Sequence, residues 1–370
     1  MELQKNKIAI LTNKPYDKCE TFINAQLDLL PFKIFHYWGS QLPFNLPQKK
    51  QSFLEKMFYK LGVKKKKSSI DTVLKEFVNN KIEIVFAHYG MVGAKILPVC
   101  KLLNLPLVIH FHGHDAVRKT VLKEFESAYL EMFHYPKTLI ISVSNEMTKR
   151  LIKLGCPKEK IYYNPCAPNA QFINIVPQFS KRQFVSIGRF VEKKAPHLTI
   201  LAFKKVVDKF PDAKFIFAGD GMLLDSCIDL VIALGLQNNI VFAGRITADQ
   251  FCNYLSESLA YIQHSIEAQD GDMEGTPVSI LEASGAGLPV ISTMHAGIPD
   301  VILNGETGLL CHEHDIDTMA NNMLNVIENP MLAKVLGEKG KIRISEFYSM
   351  DKHICNITKI IDTAISLNDK

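Results

Sequence analysis

Apolar residues along this chain fall into short, almost unbroken runs separated by longer stretches of mixed pattern. In the first half these are KIAILTN (7–13), FKIFHYW (32–38), IEIVFAHY (82–89), PLVIHFHG (106–113), TLIISVS (138–144) and KIYYNP (160–165). Runs that are apolar throughout, and not alternating, suit strands covered on both faces, and the connections between them are long enough for helices. The expectation is an α/β fold with a parallel, doubly wound sheet. The second half repeats the pattern with RQFVSIGRF (182–190), KFIFAGDG (214–221), IVFAGR (240–245), AYIQHS (260–265) and LPVIST (288–293). That predicts a second Rossmann-like sheet. The Pro-rich stretch 164–182 is the predicted linker between the two.

Ligands of such sheets bind beyond the carboxyl ends of the strands, so the polar residues that close these runs are the candidates. After AYIQHS comes a loop carrying Glu274, then Gly275, Thr276, Pro277 and Val278, with Glu282 seven intervening residues beyond Glu274. Thr276-Pro277 reads as an N-cap followed by proline at the first helical position, placing a helix start at about Pro277. A helix N-terminus there suits an anion, with phosphate the usual occupant. The two acids beside it suit sugar hydroxyls, which donate to carboxylates. The plainer reading makes Glu282 a solvated helix face and Glu274 a loop charge. Arg189 and Lys194 close the first run of the second half and open the next helix, where two cations can clamp a diphosphate; Lys193 reads as a solvated surface lysine. Gly219 stands in a tight GDG turn, and no GxGxxG dinucleotide fingerprint accompanies it.

At 370 residues the chain fits two domains. A net charge of +5 is too small to argue for nucleic acid, but eight lysines fall within 49–67 against the single acid Glu55. Phe53, Leu54, Met57, Phe58 and Leu61 recur there at helical spacing. Two readings stand: a basic amphipathic helix touching a membrane surface, or a core-facing helix followed by a solvated lysine run. The eight cysteines show no CxxC pair, which predicts free thiols in a reducing compartment. The N-terminal apolar run is short for a signal peptide, and no run reaches membrane-spanning length. A cytoplasmic protein is expected, placed at the inner face of the membrane if the basic helix binds there.

The segments EGTPVSILEASGAGLPVIST (274–293) and HAGIPDVILNGETGLL (295–310) resemble the donor-binding region of the retaining GT-B glycosyltransferases of family four, of the exopolysaccharide and lipopolysaccharide type. The resemblance covers nearly the whole chain and is strongest from about 183 to 310. It implies a GT-B fold: an acceptor-side domain over 1–168, joined by a returning C-terminal helix over 350–370, and a nucleotide-sugar domain over 169–349. It implies catalytic roles for Glu274 on the donor sugar, His112 under that sugar, and Arg189 and Lys194 on the diphosphate in place of a metal. Glu282 would hold the ribose, Gly275 to Val278 the phosphate or sugar, and Gly219 would lie near the base. No cofactor and no metal are expected; the partners are a nucleotide-diphosphate sugar and a saccharide or lipid-linked acceptor.

On the acceptor side the candidates are Glu20, Thr21, His88 and Asp115. Glu20 and Thr21 lie in a segment similar to the S-E-T-F-I variant of exopolysaccharide-type members, with Cys19 in place of serine. The plain alternative is a helix cap. His110, His112 and His114 read as metal ligands only if the strand continues past Gly113, which is expected to end it. Asp270-Gly271-Asp272 spells the DxD of the GT-A fold but reads as loop residues beside the site, and CHEHD (311–315) reads as a surface loop. The chain departs from the family at Ala195, where a glycine is usual, and at NPCAPNAQF, where Asn-Gly-Val-Asp is usual. Same-fold rivals are a sugar phosphorylase, a sugar-nucleotide epimerase and a non-catalytic nucleotide-sugar-binding subunit. The missing fingerprint weighs against a dehydrogenase.

Overall fold

Because their runs are apolar on both faces, the central strands bury almost completely: Ile8, Ala9, Ile10, Leu11 and Ile84 to Ala87 are inaccessible to solvent. The computed structural model describes residues 5–16, 21–47 and 69–368. Strands β1 (Lys7–Thr12), β2 (Lys33–Trp38), β3 (Ile84–His88), β4 (Leu107–Phe111), β5 (Thr138–Ser142) and β6 (Ile161–Tyr163) form one sheet in the order β2-β1-β3-β4-β5-β6. The second sheet holds β7 (Gln183–Ile187), β8 (Lys214–Ala218), β9 (Ile240–Gly244), β10 (Ala260–Gln263), β11 (Val290–Thr293) and β12 (Gly308–Cys311) in the order β12-β11-β10-β7-β8-β9. All pairings are parallel. Each sheet reverses its winding once, between β1 and β3 and between β7 and β10. Ligand crevices form at such reversals.

β12 was not among the predicted strands. Gly308, which looks like part of a turn, lies so close to β11 that a Cβ would come within 2.4 Å of the Val290 carbonyl oxygen. A side chain would push the edge strand off its neighbour.

The chain ends on the first sheet. The helix Met350–Ser366 repeats Ile357, Ile360, Ile361 and Ala364 along one face, which packs on Ile8, Ile10, Ile84, Phe86, Val108 and Ile141. Each isoleucine buried in this way contributes about 1.5–3 kcal/mol. Asn164, beyond β6, fastens the same helix, its Nδ2 donating to the His353 carbonyl at 3.3 Å. Cys100, Cys156, Cys166, Cys227, Cys252, Cys311 and Cys355 are free thiols. Among the described residues no helix is long and apolar enough to cross a membrane. The basic stretch 49–67 lies outside the described residues, as does Glu20.

Candidate active site

The second sheet's crevice is shaped first by glycine. Gly219 adopts φ +126°, and a Cβ on it would lie 1.9 Å from the Gly188 carbonyl oxygen, so the β8 turn can cross the end of β7 only without a side chain. Beyond Gly188 the chain makes a short helical turn over Glu192–Lys194 and enters the helix Pro196–Lys209 through Ala195, at φ +36°. That left-handed conformation explains why glycine is the easier residue at this position. The turn carries Lys194 across to β10, where its Nζ lies 3.1 Å from Gln263 Oε1 and 2.9 Å from Glu274 Oε1.

Lys194 and Glu274 therefore form a buried ion pair at the reversal between β7 and β10. Burial pushes the Glu274 carboxyl up, but Lys194, helped by Lys193, outweighs this and holds it at about 2. Burial also pulls the Lys194 ammonium down, against the upward pull of Glu274. Arg189 shares a recess with Lys194, Gln263 and Phe217 but is itself exposed, and it has no ion pair among the described residues. It is a cation available to a ligand.

Lys193 is not the surface lysine its neighbourhood predicted. It is 8% exposed, and its Nζ reaches Asp272 Oδ1 at 3.1 Å and the Met273 carbonyl at 2.9 Å. Arg118 of the first domain completes this brace, with Nε 2.9 Å from Asp270 Oδ2 and Nη2 3.0 Å from Asp272 Oδ2. Both acids beside the site are thus spent on cations.

The Glu274 loop is gripped from the first domain. A Cβ on Gly275 would lie 2.2 Å from the His112 carbonyl oxygen, and one on Gly297 would lie 2.0 Å from the Gly275 carbonyl. The Thr276 hydroxyl donates to the Val143 carbonyl across the cleft and so does not act as the predicted N-cap. The helix instead runs Val278–Gly285 with Pro277 as its cap residue and no side-chain cap bond. Asn145 adds two bonds to Asp300, at 2.8 and 2.9 Å.

Sequence reasoning missed His295. The Glu274 N–H donates to His295 Nε2 at 3.2 Å, and His295 Nδ1 lies 2.7 Å from Glu313 Oε1. An accepting Nε2 requires the proton on Nδ1, so the ring is held in one tautomer by Glu313. Glu313 also accepts from the Glu267 N–H at 2.9 Å, so the 311–315 segment braces the loop and is more than a surface turn. A histidine just past a strand end was the available signal. Glu282 sits half-buried in the helix, its carboxylate without a hydrogen bond or ion pair among the described residues. Burial raises its carboxyl to about 8.

In the first domain the predicted residues separate. His112 keeps a place at the cleft: its carbonyl lies against Gly275, and its ring packs 4.9 Å from Phe22 and 4.8 Å from Tyr89. Asp115 is fully buried and accepts from the N–H groups of Gly90 at 3.0 Å, His112 at 3.1 Å and Gly113 at 2.9 Å. It positions the loop and does not face an acceptor. His88 is likewise buried, with Nδ1 3.0 Å from His112 Nε2. Burial first, then neighbouring histidines, pulls His88 down to about 3 and His110 and His112 well below the usual imidazole range, so all three rings are neutral. Thr21 is exposed at the start of the helix Thr21–Leu29.

Comparison with known proteins agrees with this layout. The profile of "Glycosyl transferases group 1" matches residues 172–343, and that of "Glycosyltransferase Family 4" matches residues 57–171. The amylovoran biosynthesis glycosyltransferase AmsK of Erwinia amylovora is 30% identical over 268 residues, covering 70% of this chain and 65% of AmsK. The putative colanic acid biosynthesis glycosyltransferase WcaL of Escherichia coli (strain K12) is 26% identical over 254 residues, 66% of this chain and 61% of WcaL. The chain thus spans under two thirds of the length of these curated relatives. Anabaena Alr3699/HepE in complex with UDP superposes with a TM-score of 0.76 at 15% identity, covering 96% of this chain and 100% of that one. Sucrose-phosphate synthase of Thermosynechococcus elongatus does so at 0.76 and 14%, covering 98% and 100%. The fold is GT-B.

Proposed function

Because the chain belongs to glycosyltransferase family 4, we propose that it is a retaining glycosyltransferase moving a sugar from a nucleotide-diphosphate sugar to a saccharide or lipid-linked acceptor, in the making of a cell-surface polysaccharide or glycolipid. The observation that carries this is the Lys194–Glu274 pair at the reversal between β7 and β10, with an uncommitted arginine, Arg189, in the same recess. A diphosphate brings two or more negative charges. Arg189 bridges its oxygens and Lys194 turns part of its charge from Glu274 to the ligand, so no metal is required at that position.

Glu274, held ionised, accepts from hydroxyls of the donor sugar, with His295 fixing its backbone from behind. Glu282 accepts from the ribose hydroxyls. Backbone N–H groups from Gly275 to Val278 assist at the phosphate or sugar, and Gly219 keeps the wall beside Gly188 thin where the base would lie. His112 closes the sugar pocket from the opposite domain, with Asp115 and His88 positioning it. Among the described residues no side chain is assigned as a covalent nucleophile. Attack by the acceptor on the face from which the phosphate leaves, with the departing phosphate taking the acceptor proton, gives retention. HepE carries UDP and, in another structure, UDP-glucose, so a uridine donor is the first to try.

The test is Glu274→Ala assayed for sugar transfer and, separately, for nucleotide binding by thermal shift. Transfer is expected to vanish while the nucleotide still stabilises the fold by mass action. Unchanged turnover removes Glu274 from the reaction. The acceptor must also be required: sugar release at full rate without one points to another chemistry on this fold.

A further inference from the structure

β3 and β4 pair in parallel with His88 opposite His110. Side chains two apart on a strand share a face, and His112, just past the last residue of β4, keeps that side. The ring centroids of His110 and His112 are 4.2 Å apart, those of His88 and His112 5.2 Å and those of His88 and His110 5.7 Å. One ring nitrogen from each of the three lies within 4.8 Å of the others. His114, which alternation grouped with 110 and 112, is absent from this set because the helix His114–Val117 has begun; the third member comes instead from the neighbouring strand.

Three neutral imidazoles carry three N–H donors and three lone pairs. One of each is used where His88 Nδ1 meets His112 Nε2 at 3.0 Å. His88 Nε2, both nitrogens of His110 and His112 Nδ1 are buried without a partner, leaving two donors and two lone pairs unmatched. Buried polar groups are rarely left in that state. His353 does not relieve them. Its ring is 6.2 Å from that of His110, and its own nitrogens are committed, Nε2 to Gln26 at 3.0 Å and Nδ1 to the Pro165 carbonyl at 2.7 Å.

We infer that His88, His110 and His112 form a binding site for a late first-row divalent metal ion of the zinc class. Neutral imidazoles are borderline ligands that favour zinc, copper and nickel over magnesium or calcium. Two nitrogens bound to one tetrahedral zinc lie about 3.3 Å apart, close to the separation between His88 and His112. Each ring binds through a lone pair and keeps its N–H on the other nitrogen. The ring that donates between His88 and His112 moves its proton to its second nitrogen, and no proton is released. Three protein ligands leave one position of a tetrahedral ion without a protein ligand. The ion ties β3 to β4 and fixes the ring of His112. It lies in the first domain, apart from Arg189 and Lys194 in the second, and the inference does not depend on the glycosyl-transfer reading.

The test titrates the metal-stripped full chain with Zn²⁺ alone and Co²⁺ alone. About one equivalent per chain is expected, with cobalt absorption bands of a four-coordinate imidazole site. His88→Gln and His110→Gln are expected to weaken zinc binding by more than about 100-fold, above the range that changes outside the ligand set produce. His114→Gln should leave it unchanged. The inference is overturned if the wild type binds no zinc beyond His110→Gln, or if His114→Gln weakens binding as much as His110→Gln. Should the glutamine variants not fold, X-ray absorption of the cobalt-loaded wild type decides. Several imidazole neighbours support the site, and an all-oxygen shell overturns it.

Discussion

The two walls of the cleft are built from different materials. On the second domain most groups around the recess are charged and set against an opposite charge: Lys194 with Glu274, Lys193 with Asp272, and Arg118 reaching over to Asp270 and Asp272, while Glu282 stands outside these pairs. Arg189 is the exception among the cations. On the first domain the groups at the strand ends are neutral rings, His88, His110 and His112, with Phe22 and Tyr89 beside them. A wall of paired charges is preset to exchange one partner for an anionic ligand. Where these rings reach the cleft, at Phe22 and the partly exposed His112, they offer packing and shape to a group without charge. The contrast suits the proposed reaction, in which a donor brings phosphate on one side and an acceptor brings hydroxyls on the other.

The contrast breaks most directly at Lys194. Lys194→Met leaves Glu274 charged and buried, and a loss of about 3–5 kcal/mol in urea unfolding is expected, together with loss of transfer. The double change Lys194→Met with Glu274→Gln should recover most of the stability and none of the activity. If the double variant transfers sugar, the charged wall is only structural. Next in size is Gly275→Ala. Its Cβ must force the loop from the His112 carbonyl, so turnover should fall on the order of 100-fold with nucleotide affinity little changed, as a displaced catalytic geometry predicts. Equal losses in both would mean that the loop serves binding alone.

Arg189→Ala sharpens the comparison from the other direction. Being exposed and unpaired, Arg189 should cost less than about 0.5 kcal/mol of stability, while calorimetry should show nucleotide-diphosphate affinity weakened by about 1.5–3 kcal/mol. The smallest expected effect is at Glu282. Its carboxyl, raised to about 8, is mainly protonated near neutral pH, and donated ribose hydroxyls favour the ionised form. Binding then releases a proton, so affinity rises with pH and levels off above about 8, by at most about tenfold per pH unit. Glu282→Gln should flatten that profile.

How far the sequence exposed these walls depended on whether a group's role is set by its own stretch of chain. Glu274, Arg189 and Lys194 stand at strand ends, where position and charge together suggest use, and eleven of the twelve strands follow from their apolar runs. Lys193 and Lys194 are identical neighbours, and the short helical turn that carries them points one to Asp272 and the other to Glu274. Thr276 has the spelling of a cap, but the carbonyl it bonds belongs to Val143, 133 residues earlier. The histidine trio escaped for the same reason, since its third member arrives through the pairing of β3 with β4. Gly308 hid a strand because the need for glycine came from the neighbour and not from the local turn.

The helix Met350–Ser366 also has a consequence for the order in which the protein is made. Ile8, Ile10, Phe86 and Val108 are covered by residues translated more than 240 positions later than the last of them. Until those residues emerge from the ribosome, that face of the first sheet lacks its main cover, whereas the second sheet and its own helices are already complete. Domains usually fold as units in the order of synthesis. Here the half that is synthesised first is expected to be the one that finishes last, and a nascent chain halted before residue 350 should present its apolar sheet face to chaperones.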